Sequence, residues 1–329
     1  MSVLHAVAEG LRAVRRRASL VALLLAVNLL TASLLAIPLV GVLEESLKNT
    51  DASGNMLYGF DHAWWIAWHA GRTGWTRSFQ PDLFGSGFAF KNLELLLRGS
   101  LPAGLFESIE DAQNDYPVDP LILGLGIAYL LVQAFLTGGV LGALRGEQAP
   151  TPLRGLLHGS GFYFGRILRV AALALVLDGL AFWLNVPFAA WAERRAQECV
   201  SETTALAWLF GRHLLLLAAL LVVFLLSCYA KVIVVLEDRR SAFLALLTAA
   251  GFCLRNLRKV LGHVSLVALL AAVLIAAWHA VDGAFGTTGY KTQLVSLALS
   301  QALVFGLIAL RLSLYAGQIG LYRSLPRGL

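Results

Sequence analysis

The sequence predicts an all-α protein, a polytopic integral membrane bundle of about six transmembrane helices. Apolar residues make up 58% of the chain and charged residues only 14%, and the mean hydropathy is +0.72. An ordinary soluble domain carries about 25% charged residues to cover its surface. The apolar residues gather in six runs, each near the roughly 20 residues needed to cross the hydrocarbon of a bilayer. We therefore expect a single membrane domain over residues 1–329.

The chain begins with a short amphipathic lead over residues 1–17, which ends in four basic residues. These are Arg12, Arg15, Arg16 and Arg17. The run 18–43 follows and is predicted to be an uncleaved first span. Its apolar part is longer than the roughly 7–15 residues of a signal-peptide core, and no clear A-x-A site precedes Glu44. We expect the lead to lie in the cytoplasm.

The segment 44–118 is the longest stretch outside the apolar runs, and it is rich in tryptophan. Its pattern predicts helices over residues 58–72 and 91–98. Indole rings favour the headgroup level of a bilayer. We therefore expect one or two interfacial amphipathic helices on the outer leaflet, and the alternative is that the segment caps the outer mouth of the bundle. Its tryptophans are Trp64, Trp65, Trp68 and Trp75.

Five further apolar runs complete the spans and fix the expected orientation. They cover residues 119–144, 166–190, 205–236, 262–281 and 294–318. If the N-terminus is inside, sixteen of the 26 Lys and Arg residues fall on the cytoplasmic side and fifteen of the 20 acidic residues on the outer side. Cytoplasmic loops of membrane proteins carry such an excess of basic residues. The pattern predicts a multi-pass protein of the bacterial inner membrane with both termini in the cytoplasm.

Residues 237–261 are predicted to form a cytoplasmic amphipathic elbow between the fourth and fifth spans. A charged turn, Glu237-Asp238-Arg239-Arg240, ends one span, and an amphipathic segment leads to a basic cluster before the next. Each Lys or Arg near an anionic membrane surface contributes about 1 kcal/mol of attraction. The alternative is that these charges only set the topology. The candidate contacts to headgroups or to a partner are Arg239, Arg240, Arg255, Arg258 and Lys259.

The elbow and two other segments resemble a six-span bacterial membrane family. That family is similar to the membrane domain of glycerophosphoryl diester phosphodiesterases. The residues that carry the resemblance are Tyr229-x-Lys231 with Val-Leu-Glu-Asp-Arg-Arg-Ser and Leu-Arg-Asn, then Phe135-Leu-Thr-Gly-Gly-Val-Leu, and Phe162-Tyr-Phe-Gly-Arg-Ile-Leu-Arg. The likeness covers the layout of residues 121–329, and the tryptophan-rich outer segment departs from it. It implies a six-helix membrane module without the soluble catalytic barrel of a diesterase.

No motif in the chain predicts catalysis, a cofactor or a metal. There is no HExxH, GxSxG, P-loop or GxGxxG pattern in a suitable context. The three cysteines are far apart and outside any CxxC spacing, so no disulfide framework or zinc site follows. Because the basic charge is explained by topology, we expect no nucleic-acid partner. We predict that the protein is not an enzyme and has no cofactor.

Polar side chains within the spans give the remaining candidates, because each is costly in hydrocarbon unless it faces a partner or a cavity. Asp178 and Asn185 share one face of the third span, Lys231 lies in the fourth and Arg311 in the sixth, while Gln133 and Thr137 lie four residues apart in the second. Asp178 and Arg311 are a candidate charged pair on a substrate or proton path. The alternatives are a structural ion pair and an arginine that extends to the headgroups.

Two classes of function are compatible with these features. The first is a non-enzymatic module that interacts with membrane lipids or serves as a subunit of a membrane or envelope assembly, with membrane or cytoplasmic protein partners. The alternative is a stand-alone transporter of a small molecule or ion, with Asp178, Asn185, Lys231 and Arg311 along a polar path. Half-helix breaks would favour a transporter, but the prolines inside the spans lie near their outer ends.

Overall fold

The computed structural model describes residues 1–48, 50–56, 61–78, 120–146, 152–284 and 290–326, and all its regular elements there are helices. A 3₁₀ helix covers Gly74–Ser78. The α-helices are α1 (Val3–Arg15), α2 (Ala18–Leu47), α3 (Ala52–Asn55), α4 (His62–Ala70), α5 (Pro120–Arg145), α6 (Pro152–Gln197), α7 (Glu202–Leu236), α8 (Ala242–Arg255), α9 (Leu257–Ala284) and α10 (Tyr290–Ser324).

Six of the described helices are long and apolar enough to cross a membrane: α2, α5, α6, α7, α9 and α10. Each of them overlaps one of the six apolar runs of the sequence. The predicted fold class, an all-α polytopic membrane bundle, is therefore confirmed. The chain is a multi-pass membrane protein.

The helices pack mainly against their neighbours in the chain. α5 and α6 form one close pair, α6 and α7 a second, and α9 and α10 a third, while α1 lies against α10 and α9. The buried core gathers where α5, α7 and α10 end, together with α1, α8 and the start of α6. We call this the basic end of the bundle, because Arg145 and Arg323 lie there. Toward the opposite end many apolar side chains are exposed, as expected of surfaces that face lipid.

The α5–α6 pair is held by small residues that let the two backbones approach. A Cβ added at Gly139 would lie 2.2 Å from the carbonyl oxygen of Leu156 and 2.3 Å from Oγ of Ser160. Gly159 faces Gly139 in a tight but less crowded contact, since its added Cβ would lie 3.2 Å from the Gly139 Cα. Such small-residue contacts are typical of helix association in membranes.

The third span is longer than the sequence predicts. α6 begins at Pro152 rather than at residue 166. Proline is well suited to the first position of a helix, where its missing N–H has no partner to lose. The extra turns carry Gly159 and Ser160, and they pack on α5. Packing against α5 thus stabilises a helical stretch in which glycine lowers the intrinsic propensity.

Within the segment 44–118 the structure describes one helix inside the predicted 58–72, of which residues 58–60 lie outside the described residues. α4 covers His62–Ala70, and Oδ1 of Asp61 accepts a hydrogen bond from the Trp64 main-chain N–H at 3.0 Å. That bond lowers the pKa of the Asp61 carboxyl. Trp65 and Trp68 are buried. The predicted helix over 91–98 lies outside the described residues.

Candidate functional site

The turn of the elbow is fixed by hydrogen bonds from two neighbouring helices, α6 and α10, and by one bond within the turn. Glu237 accepts from the Tyr322 hydroxyl at 2.5 Å through Oε1 and from Nε of Arg239 at 2.7 Å through Oε2. Arg166 pairs with Asp238, whose φ of 52° is left-handed. These bonds hold the end of α7 and the turn that follows it against the neighbouring α6 and α10. The elbow is therefore an ordered element.

Among the five basic candidates of the elbow, Arg239 differs from the others. Its Nη1 donates to Oγ1 of Thr248 at 2.7 Å, and the side chain is half-buried. It therefore ties the turn to α8. The other four side chains are exposed at the two ends of α8: Arg240, Arg255, Arg258 and Lys259.

Helix α8 is apolar on two sides. Its buried side carries small residues and Phe252, which pack on α7 and α6. Its other side exposes large apolar residues, namely Phe243 (60%), Leu244 (53%), Leu247 (50%) and Leu254 (74%). At 100° per residue, positions 243, 247 and 254 fall within about 40° of one another. A contiguous exposed apolar face of this kind marks a surface that contacts a partner or a membrane.

A second feature is a half-open cavity of about 250 Å³ between α2, α5 and α10. Nη1 of Arg311 donates to Oε1 of Gln133 at 3.1 Å, and the guanidinium lies 5.9 Å from the ring centre of Tyr315. The Tyr129 hydroxyl donates to Oδ1 of Asn28 at 3.3 Å. Thr137 bonds back to the Gln133 carbonyl within α5. No acidic residue is among the described residues that line the cavity.

The position of this cavity along the bundle axis follows from the register of α5 and α10. At the basic end, Nη2 of Arg323 donates to the Arg145 carbonyl at 2.9 Å. Gln133 and Arg311 each lie twelve residues earlier on the same two helices. Twelve residues at a rise of 1.5 Å place the cavity about 18 Å along the bundle from that contact.

The structure separates the residues that the sequence proposed for a polar path. Asp178 and Asn185 are half-buried on α6, and Lys231 is half-buried on α7. α6 packs mainly against α5 and α7. In the described part of the chain Asp178 makes no hydrogen bond or ion pair, and Arg311 bonds to Gln133. The hypothetical pair of Asp178 with Arg311 is thus not formed.

The sequence pattern singles out Gln133 for its spacing with Thr137, but it does not join Gln133 to Arg311. It also does not single out Asn28 or Tyr129. All are polar side chains in apolar runs, which is the signal that could have found them. Their grouping depends on which helices are neighbours, and the sequence does not supply that.

We searched the described residues for a metal site and compared the chain with known proteins. Within the residues that the structure describes, no group of three His, Cys, Asp or Glu side chains is placed to hold a metal ion. Comparison with protein-family models, curated proteins and solved structures finds no match. The likeness to the membrane domain of glycerophosphoryl diester phosphodiesterases therefore stays a prediction.

Proposed function

We propose that the protein is a non-enzymatic, lipid-interacting module of the bacterial inner membrane, with both termini in the cytoplasm. One observation carries the proposal: α8 exposes a large apolar face that is flanked at both ends by basic side chains. An interfacial helix buries an apolar face at the boundary of headgroups and acyl chains and places basic residues among the headgroups. α8 has both properties.

The two contributions to docking are of similar size. Four large apolar side chains are each half or more exposed, so burying them in the leaflet contributes roughly 1 kcal/mol apiece. The four exposed basic side chains contribute about 1 kcal/mol each near an anionic surface. The electrostatic part is screened by salt, and the apolar part is not. Binding of α8 to the leaflet should therefore weaken in salt without being lost.

The orientation is supported by the distribution of charge. The basic end holds Arg145, Arg323 and the elbow, and α1 with its arginines packs on the same part of α10. A concentration of Lys and Arg at one end of the spans is typical of the cytoplasmic side. The transporter alternative has weaker support, because Asp178, Asn185 and Lys231 do not line the cavity around Arg311.

The proposal can be tested by measuring the depth of α8 in nanodiscs. A Leu247→Cys variant, made in a Cys199→Ser background, is labelled with a fluorophore and exposed to quenchers carried on lipid acyl chains. We expect strong quenching in discs that contain phosphatidylglycerol. Replacing Arg240, Arg255, Arg258 and Lys259 with Gln should weaken it there, with a smaller change in phosphatidylcholine alone.

The matched control is the same label at Gln197, at the far end of α6. That label should respond to a water-soluble quencher rather than to the lipid-borne one. If the label on residue 247 also responds mainly to the water-soluble quencher in both kinds of disc, α8 does not dock on the leaflet and the proposal is wrong.

A further inference from the structure

We propose that the cavity between α2, α5 and α10 is an intramembrane binding site for the anionic group of an amphiphile, with Arg311 as its counter-ion. The inference rests on the proposed lipid-interacting function and names the class of lipid. It concerns a place distinct from the elbow surface. The anionic group is a phosphate or a carboxylate, and the attached chain is apolar.

The polar lining of the cavity offers mainly hydrogen-bond donors. A guanidinium has five N–H donors and no acceptor, and the described bond from Arg311 to Gln133 is made through Nη1. The side-chain oxygens of Gln133 and Asn28 accept hydrogen bonds from Arg311 and Tyr129. The two amide NH₂ groups are thereby left to donate to a ligand. A positive charge among donors suits an anion.

The depth of Arg311 calls for a negative partner. An arginine deep in the hydrocarbon is costly unless it is paired or reaches water. The cavity lies about 18 Å from the Arg145–Arg323 contact, which is farther than one arginine side chain extends. Its described partners, Gln133 and the Tyr315 ring, are neutral. A bound anion would supply the missing charge.

The remaining walls favour an amphiphile over a free ion. The lining on α2 and α10 includes Leu24, Val304, Leu307 and Ile308. Leu30 on α2 and Leu131 on α5 are exposed on the outer surface of the same helices. A cavity of about 250 Å³ is smaller than the roughly 300–1,000 Å³ of drug-sized sites. It has room for the anionic group and the first methylenes, with the rest of the chain lying in the bilayer.

Native mass spectrometry of the delipidated protein can test this site. The probes are phosphatidylglycerol, oleate, phosphatidylcholine and inorganic phosphate, each titrated separately. We expect one tight site for phosphatidylglycerol or oleate, and at least tenfold weaker binding of both in Arg311→Gln, as for loss of a charge-assisted hydrogen bond. Arg311→Lys should restore part of that loss. Arg323→Gln, a matched change on the same helix, should leave the site unchanged.

Melting of each variant in lipid-free detergent checks that it is folded, and Asn28→Leu gives a second variant that alters the cavity while keeping Arg311. If Arg311→Gln and Asn28→Leu both bind the anionic amphiphiles as the wild type does, the assignment is wrong. Equal binding of phosphatidylcholine, or saturation by inorganic phosphate alone, would overturn it too. The four elbow substitutions should spare this site, so failure here is distinguishable from failure of leaflet docking.

Discussion

Replacing Gly139 with alanine should weaken the α5–α6 pair. The new Cβ would lie 2.2 Å from the Leu156 carbonyl oxygen and 2.3 Å from Oγ of Ser160. The first of these atoms belongs to the backbone, so it cannot turn aside as a side chain can. The helices must separate, and overpacking of this kind costs about 1–3 kcal/mol. Ala also gains up to about 1 kcal/mol over Gly in helix propensity.

Gly165→Ala is the matched control for this prediction. Its added Cβ meets nothing within 4 Å, and it lies on α6, one helix of the same pair. Gly165→Ala gains the same helix propensity without the steric clash. The free energies of unfolding of the two variants should therefore differ by about 1–3 kcal/mol, which is the cost of the clash alone. The assay is equilibrium unfolding of the purified protein in mixed detergent micelles. If both variants have the same free energy of unfolding, α5 and α6 are not in the contact described.

Three other predictions concern the packing and the cysteines. Gly10→Ala would place a Cβ 2.4 Å from the Ser313 carbonyl oxygen, so it should release α1 from α10. Limited proteolysis should then cleave the N-terminus faster than in the wild type, and an unchanged cleavage rate would contradict the packing of α1 on α10. Glu237→Gln keeps the shape of the side chain but removes a charged group that accepts two hydrogen bonds. It should therefore lower the free energy of unfolding by about 1–3 kcal/mol, and an unchanged free energy of unfolding would refute the role of that carboxylate in the elbow. Burial raises the pKa of the Cys253 thiol from 9.0 to about 12, so its reactive thiolate is roughly a thousandfold scarcer than at the ordinary pKa. The stability that the neutral Cys253 contributes is complete below about pH 9 and is lost as the pH rises toward 12. In opened membranes at about pH 8, a maleimide should therefore label Cys199 while Cys253 resists, and equal labelling of the two would contradict the raised pKa. In intact cells a membrane-impermeant maleimide should label Cys199 from outside, and labelling of Cys199 only after the membrane is opened would reverse the proposed orientation.

The spans and the elbow could be predicted because both follow from local chemistry. The thickness of a bilayer selects long apolar runs, and the charged residues 237–240 cannot continue a span. Ser241 then caps α8 by accepting a hydrogen bond from the Leu244 N–H at 3.3 Å, as serine does at helix starts. The end of α7 at Leu236 is therefore where the sequence predicts it, whereas α9 begins at Leu257, inside the predicted elbow 237–261.

Neither the start of α6 nor the partner of Arg311 could be predicted, because both depend on contacts between distant residues. The first turns of α6 are helical where Gly159 and Ser160 meet α5. Arg311 meets Gln133 because α5 and α10 run parallel in register, with the two residues 178 positions apart. Charge complementarity alone favoured Asp178, but α6 packs mainly on other helices. Sequence patterns show which face of a helix is polar, not which helix it meets.

The most direct test of a lipid-interacting module is native mass spectrometry of the protein gently extracted from its own membrane. We expect retained anionic lipid in a fixed ratio to the chain, with part of it lost when Arg240, Arg255, Arg258 and Lys259 are replaced by Gln. A chain that carries no lipid, or one that carries only a stoichiometric second protein, would contradict it.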